Sequence, residues 1–361
     1  MHCFPMFIHT IWRHHLYQKI MDPEEYAQKF STTVMNGYVS LQIVVGHTLG
    51  LFDALKKFTK PVTSQELAES CKLKERYVRE WLGCLSAAEF INITDDHKYF
   101  IPEACKPHIT ESSFLACELP NVAKNMPSVL ECFKKDGPKG FNYATQIDSL
   151  MWLDEEKKAC KGEWIDDNLF PTGKKNKDDI HYILDIGCAT GSLTVNIAKH
   201  FPNAKVFGID LDQTAIAKAK ENIIVENVLN IEFHQCGADV LEKTWENQFD
   251  WIVLVDVLHD LPNPEQCIKE IKRVLKKDGI VSAIDPAFHS DHKMNVGNPR
   301  APMLYTFSTF VCLPCSMSAE PAVGHGVGWG MENKIAFLKA NGFEILGDED
   351  KPLVHFRKVQ D

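Results

Sequence analysis

The sequence predicts an α/β protein in which a doubly wound, mainly parallel sheet follows an α-helical winged-helix domain. Three observations carry this reading. Short apolar runs alternate with helical stretches from Ile180 onward. Amphipathic helices followed by a hairpin occupy residues 22–110. A glycine-bearing loop joins the first strand of the second region to a helix.

The length, 361 residues, allows two or three domains, and the composition of 45% hydrophobic and 24% charged residues is that of a folded chain. Its 39 Lys and Arg against 49 Asp and Glu leave a formal charge of −10, which argues against a general nucleic-acid binder. Twelve cysteines, most of them single within apolar stretches, read as reduced thiols of a cytoplasmic protein. Cys3-Phe4-Pro5-Met6-Phe7-Ile8 is apolar, but Pro5 and His9 interrupt it and no basic residue precedes it. Residues 1–21 are therefore read as an N-terminal extension and not a signal peptide. The nearest approach to a membrane span, Ala301 to Ala319, contains Pro302 and Pro314, so no membrane association is expected.

Within residues 22–110, the apolar positions Val39, Ile43, Val44, Leu49, Leu51, Phe52 and Leu55 predict one helix. Ser64 to Ala68 starts a second, and Val78, Trp81, Leu82 and Leu85 fall at i, i+3, i+4, i+7 on a third. Phe90–Ile93 and Lys98–Ile101 flank the turn Thr94–His97 as two strands. Between Pro61 and Pro102 five basic side chains face seven acidic ones, a poor surface for a duplex. Dimerisation, as a homodimer through this domain, or core packing is the expected use of its apolar faces. Residues 111–178 read as a helical connector, with a turn at Asp136-Gly137-Pro138-Lys139-Gly140 and core-type aromatics Phe141, Tyr143, Trp152 and Trp164. The polar run Gly173–Asp179 marks the junction.

The second region, residues 179–361, places strands at Tyr182–Ile186, Lys205–Ile209, Ile231–Cys236, Trp251–Val255 and Ile280–Ile284. Helices fall at Thr214–Glu226 and Pro264–Lys277. In such sheets ligands bind beyond the carboxyl ends of the strands. Leu184-Asp185-Ile186-Gly187-Cys188-Ala189-Thr190-Gly191-Ser192 follows the first strand. A P-loop would need a second glycine at 192 and a lysine at 193, where Ser192 and Leu193 stand. A dinucleotide fingerprint would need glycines at 189 and 192, where Ala189 and Ser192 stand. The spacing D-x-G-x-x-x-G of Asp185, Gly187 and Gly191 remains. An aspartate there would repel a pyrophosphate and suit a cofactor that carries a sulfonium and an ammonium group.

On these residues the segment Ile180–Asp285 resembles a class I S-adenosylmethionine-dependent methyltransferase, with a Rossmann-like fold. The resemblance implies that Asp185, Gly187, Ala189 and Gly191 cradle the cofactor, with Ala189 standing where many members have a third glycine. It implies that Asp210, with Leu211 beside it, receives the ribose hydroxyls, while Ala238 and Asp239 hold the adenine; a solvated loop aspartate is the other reading of Asp239. Asp212 is expected to cap the next helix. Asp256 contacts the methionine end of the cofactor or anchors a loop.

Leu258-His259-Asp260 resembles the small-molecule O-methyltransferases of the caffeic acid and hydroxyindole type, which also carry a winged-helix dimerisation domain. That likeness implies that His259 is the general base, its imidazole suited to neutral pH; a histidine capping the strand or held by Asp260 is the other reading. Of the two carboxylates that flank the base there, Asp285 fits the first place, and the second aligns near Gly328, which has none. Asp136–Gly140, His259-Asp260 and Gly324–Gly330 resemble another winged-helix branch of the class, mostly of unassigned substrate.

Residues 286–331 are too long for a simple connection and read as a substrate cap. Between Ala301 and Gly330 its only formal charge is Glu320, which predicts a small apolar or aromatic methyl acceptor. Cys312 and Cys315 form a lone CxxC, and no metal is expected. A regulatory protein that binds the cofactor or DNA without catalysis is the reading from another class.

Overall fold

The computed structural model describes residues 20–141, 154, 157–171, 176–349 and 352–359. Most of the extension, the aromatics Tyr143 and Trp152, and part of the polar junction lie outside the described residues. Two compact units divide the chain, one within residues 18–123 and one from Lys124 onward.

In the first unit Asp22 caps helix Pro23–Thr48 by accepting from the Glu24 and Glu25 amides, and Pro23 occupies the first turn. The helix expected to run through Leu55 breaks at Gly50, whose φ of +69° an L side chain resists, and restarts as Leu51–Lys57. A Thr63–Glu66 capping box opens Ser64–Cys71. Helix Glu75–Ala87 buries Val78, Trp81, Leu82 and Leu85, the spaced positions that predicted it. Trp81 Nε1–H donates to the Gln42 carbonyl at 2.9 Å, and its ring meets Phe52 edge-on. Burying leucines as completely as Leu67, Leu82 and Leu85 stabilises by roughly 1.5–3 kcal/mol each. The hairpin is shorter than expected, with β1 Asn92–Ile93 antiparallel to β2 Tyr99–Phe100. One face of the first helix stays bare: Tyr26, Phe30, Val34, Tyr38, Leu41 and Val45 are 39–66% exposed.

The second unit is built on seven strands: β3 Tyr182–Ile186, β4 Lys205–Asp210, β5 Ile231–Gln235, β6 Phe249–Val255, β7 Leu275–Ile284, β8 Phe343–Leu346 and β9 Leu353–Lys358. Their order is β5-β4-β3-β6-β7-β9-β8; the first five are parallel, and β9 runs antiparallel to both β7 and β8. Strand order reverses between β3 and β6, which makes that crevice the ligand position of a doubly wound sheet. Alternation divides the core: Leu184 and Ile186 pack with Ile252 and Leu254 on one face, Ile183 with Trp251 and Val253 on the other. Helix Pro264–Val274 stops short of Lys277, because Leu275 is fully buried and pairs with Phe249 in the sheet. The antiparallel pair β8 and β9 has no counterpart in the sequence reading.

The insertion after β7 has its own small core of Phe288, Ala301, Leu304, Val311, Cys312 and Val327. It is a helical run, Ala301–Phe307 and Leu313–Ser316, interrupted by one π-helical turn, Ser308–Cys312. The turn containing Gly140 packs on it: a Cβ on Gly140 would lie 2.1 Å from the Pro314 carbonyl, to which the Phe141 amide donates at 3.2 Å. No single helix among the described residues is long and apolar enough to cross a membrane.

Candidate active site

The loop between β3 and helix Ser192–His200 turns through three left-handed residues, Gly187 (φ +73°), Ala189 (φ +49°) and Gly191 (φ +84°). A Cβ at Gly187 would lie 2.5 Å from Val257, and one at Gly191 would lie 2.6 Å from Phe233. Ala189 takes the left-handed state without glycine's freedom, at a cost of about 1–2 kcal/mol. Its amide donates to Asp210 at 2.9 Å, which holds the loop against β4.

Asp185 lies under this loop, buried, and accepts from Thr194 Oγ1 at 2.6 Å. Burial raises it to about 6 despite that bond. Asp210 ends β4 and also accepts from the Asp212 amide at 2.9 Å; burial outweighs both hydrogen bonds and raises its pKa. Asp212 caps helix Gln213–Glu226 by accepting from Ala215, while Leu211 is exposed. Ala238 and Asp239 lie half-buried in the loop after β5.

Asp256 directly follows β6 with φ +60°, a left-handed non-glycine residue where the chain leaves the sheet. Both of its carboxylate oxygens are shut from solvent, and among the described residues neither has a hydrogen-bond partner. Burial raises it to about 7, against the pull of Lys157 and His259.

His259 follows in the 3₁₀ turn Leu258–Asp260. Its Nδ1 lies 2.7 Å from Asp285 Oδ1, and its Nε2 lies 3.1 Å from Asp260 Oδ1. A second carboxylate beside the histidine is its sequence neighbour Asp260, while the position near Gly328 carries none. Lys334 holds the other oxygen of Asp285 at 3.0 Å, with both side chains buried. Burial alone would lower the His259 pKa, but Asp260 and Asp285 outweigh it and raise the value to about 9. The ordinary imidazole pKa assumed from sequence does not apply here. The Gly326 amide donates to the His259 carbonyl at 3.1 Å, and His325 stacks on Trp329 with ring centroids 4.1 Å apart.

Asp154 and Lys334 gave no sequence signal, and Cys312 signalled only a lone CxxC. Asp154 is buried and accepts from the hydroxyls of Thr190 and Ser192 and from the Ser192 amide, which seals the glycine loop from the connector side. Lys334 lies buried within helix Gly330–Ala340. Cys312 Sγ comes within 4.8 Å of the ligating atoms of His259 and Asp260.

Residues 177–317 match the family described as a methyltransferase domain, and residues 37–110 match an Rv2258c-like winged HTH domain. The ubiquinone biosynthesis O-methyltransferase of Pseudomonas fluorescens is 31% identical over 138 residues, 36% of this chain and 55% of the relative. The chain thus spans about half the length of the curated relatives it matches. An O-methyltransferase family protein from Burkholderia thailandensis superposes with a TM-score of 0.66 at 12% identity, covering 94% of this chain and 99% of that one. Human N-acetylserotonin methyltransferase, solved in complex with S-adenosylmethionine, gives 0.61 at 14% identity, covering 94% and 100%. At such identities the likeness is one of fold. The chain carries a methyltransferase domain of Rossmann-like fold, preceded by a winged helix-turn-helix domain of the Rv2258c-like kind.

Proposed function

We propose that the chain is an S-adenosylmethionine-dependent methyltransferase acting on an oxygen or nitrogen of a small, apolar or aromatic acceptor. The observation that carries the reading is Asp256: a carboxylate enclosed without a hydrogen-bond partner among the described residues, at the strand-order reversal beside the glycine loop. A buried carboxylate calls for a cation. S-adenosylmethionine is cationic at its sulfonium and ammonium groups and supplies an electrophilic methyl group when bound. In this reading the loop through Gly187, Ala189 and Gly191 over Asp185 receives the cofactor, Asp210 and Leu211 its ribose, Ala238 and Asp239 its adenine, and Asp256 its ammonium.

His259 accepts the acceptor's proton at Nε2, while Asp285 fixes the ring through Nδ1. Much of the rate comes from holding the acceptor in line, with the insertion 286–331 as the cap over it. Oxygen is the favoured atom, because the relatives are O-methyltransferases by name.

The bare apolar face of helix Pro23–Thr48 supports a homodimer in place of DNA binding. The eleven cysteines among the described residues are free thiols, which supports the reducing cytoplasm. Calorimetry with S-adenosylmethionine and with NAD tests the proposal: heat is expected with the first only, and silence with S-adenosylmethionine would defeat it.

A further inference from the structure

We propose that His259, Asp260 and Cys312 form a binding site for a thiophilic divalent metal ion of the zinc type. The imidazole nitrogen, the carboxylate oxygen and the sulfur all lie within 4.8 Å of one another, and the three residues are only 4–8% exposed. Nitrogen, oxygen and thiolate together are a ligand set that zinc accepts. At zinc's bond lengths of about 2.0–2.3 Å, tetrahedral ligand atoms stand roughly 3.3–3.6 Å apart, so the site closes by a contraction on the order of 1 Å.

The neighbours of the cluster are those a metal-bound histidine requires. An ionised Asp285 can only accept, so the 2.7 Å contact puts a proton on Nδ1 of His259. That is the outer-shell carboxylate that fixes the tautomer of metal-binding histidines. It leaves Nε2 unprotonated with an Asp260 oxygen 3.1 Å away. Two electron-rich atoms at that separation in a buried site need a positive charge between them, either a proton or a metal ion.

Charge balance favours the ion once Cys312 is included. A coordinated divalent ion displaces the Cys312 thiol proton to solvent and binds the thiolate. One divalent ion, one thiolate, one carboxylate and one neutral imidazole sum to zero. Asp285 is balanced separately by Lys334 at 3.0 Å. Cys312 closes the single π-helical turn of the cap, a backbone form that recurs at functional sites. Three protein ligands leave a fourth position open, as at catalytic zinc centres. An ion on Nε2 takes the lone pair that a general base would use, so the loaded and base-competent proteins are distinct states.

The test uses the full chain, stripped with a chelator and titrated with Co²⁺ alone while its absorption is recorded. One ion per chain is expected, with a thiolate-to-cobalt charge-transfer band that Zn²⁺ abolishes. Cys312→Ser should remove the band with the thermal transition preserved, and Cys315→Ser should keep it. Asp285→Asn should weaken binding by about 10–100-fold through the histidine it orients. A folded wild-type chain without the band, a band that survives Cys312→Ser, or one lost in folded Cys315→Ser would each overturn the assignment. If Cys312→Ser does not fold, His259→Ala reads the same site and should lose tight Co²⁺ binding; tight binding retained there also overturns it. S-adenosylmethionine calorimetry on the same preparation scores the methyltransferase reading separately.

Discussion

Lys334 and Asp285 pair at 3.0 Å, with both side chains almost wholly removed from solvent. The ammonium neutralises one oxygen of a carboxylate whose other oxygen holds His259. Removing one member of a buried pair leaves an uncompensated charge and costs roughly 3–5 kcal/mol. Lys334→Met should therefore lower chemical-denaturation stability by about 3 kcal/mol, toward the low end because His259 still faces Asp285. A loss below 0.5 kcal/mol would show that the pair does not support the fold.

If His259 is the base, as proposed, its raised pKa sets the pH dependence of methyl transfer in the metal-free protein. A base must be deprotonated, and with a value of about 9 the working fraction at neutral pH is near one in a hundred. The rate with a pre-bound acceptor should rise about tenfold per pH unit below 9 and then level. Asp285→Asn removes one of the carboxylates that raise the value, so the profile should move to lower pH. His259→Ala should lose turnover and the dependence while S-adenosylmethionine affinity stays nearly unchanged. A flat wild-type profile between pH 6 and 9 would exclude His259 as the base.

Asp256 gives the ligand-free protein a stability that depends on pH in the opposite sense to most aspartates. Its folded pKa, about 7, stands above the unfolded value of about 3.9, so the folded chain holds the extra proton between the two. The contribution is complete at the acid end and is lost as pH climbs through about 7. Melting temperatures of the ligand-free protein should carry this downward component from about pH 4 to 7, and Asp256→Asn should flatten it. An unchanged slope in the variant would contradict the buried placement of the carboxylate.

Gly191→Ala should be costly because the substitution meets two obstacles together. The backbone is left-handed at φ +84°, and the new methyl would lie 2.6 Å from the Phe233 ring. Backbone strain alone costs about 1–2 kcal/mol. A total loss of at least 2 kcal/mol is expected, with weaker S-adenosylmethionine binding by calorimetry. Wild-type stability and affinity in the variant would remove the glycine loop from the argument.

The bare stripe on helix Pro23–Thr48 predicts self-association. Phe30→Glu and Tyr38→Glu together should convert a dimer to a monomer in analytical ultracentrifugation, with the helix content unchanged. A wild-type chain that sediments as a monomer at micromolar concentration would refute the dimer.

The sheet was readable because its central strands are buried on both faces, which writes uninterrupted apolar runs such as Trp251–Val255 into the chain. Strands β8 and β9 lie at the antiparallel edge and mix charge with apolar residues, Glu344 and Arg357 among them, so no run marks them. Gly187, Gly191 and Asp210 were legible because a tight loop and a strand-end acid follow from spacing. The surroundings of His259 were legible in part: Asp285 fitted a flanking place and Asp260 stood as a partner, but adjacency in sequence does not show that both lie beside one ring. Nor does helical periodicity separate a buried Lys334 from a solvated one. Asp154 was hidden for a third reason, since it belongs to a connector without periodic pattern and acquires its role only by contact with Thr190 and Ser192.

The contact of Gly140 with Pro314 bears on how a ligand beneath the cap would leave. The connector turn has no room for even one methyl group against the Pro314 carbonyl, so turn and insertion are fitted edge to edge. Any outward swing has to break the Phe141 hydrogen bond or carry the turn with it. If the insertion covers the acceptor as proposed, residence time beneath it would depend on the chain around residue 140 as well as on the side chains that touch the ligand.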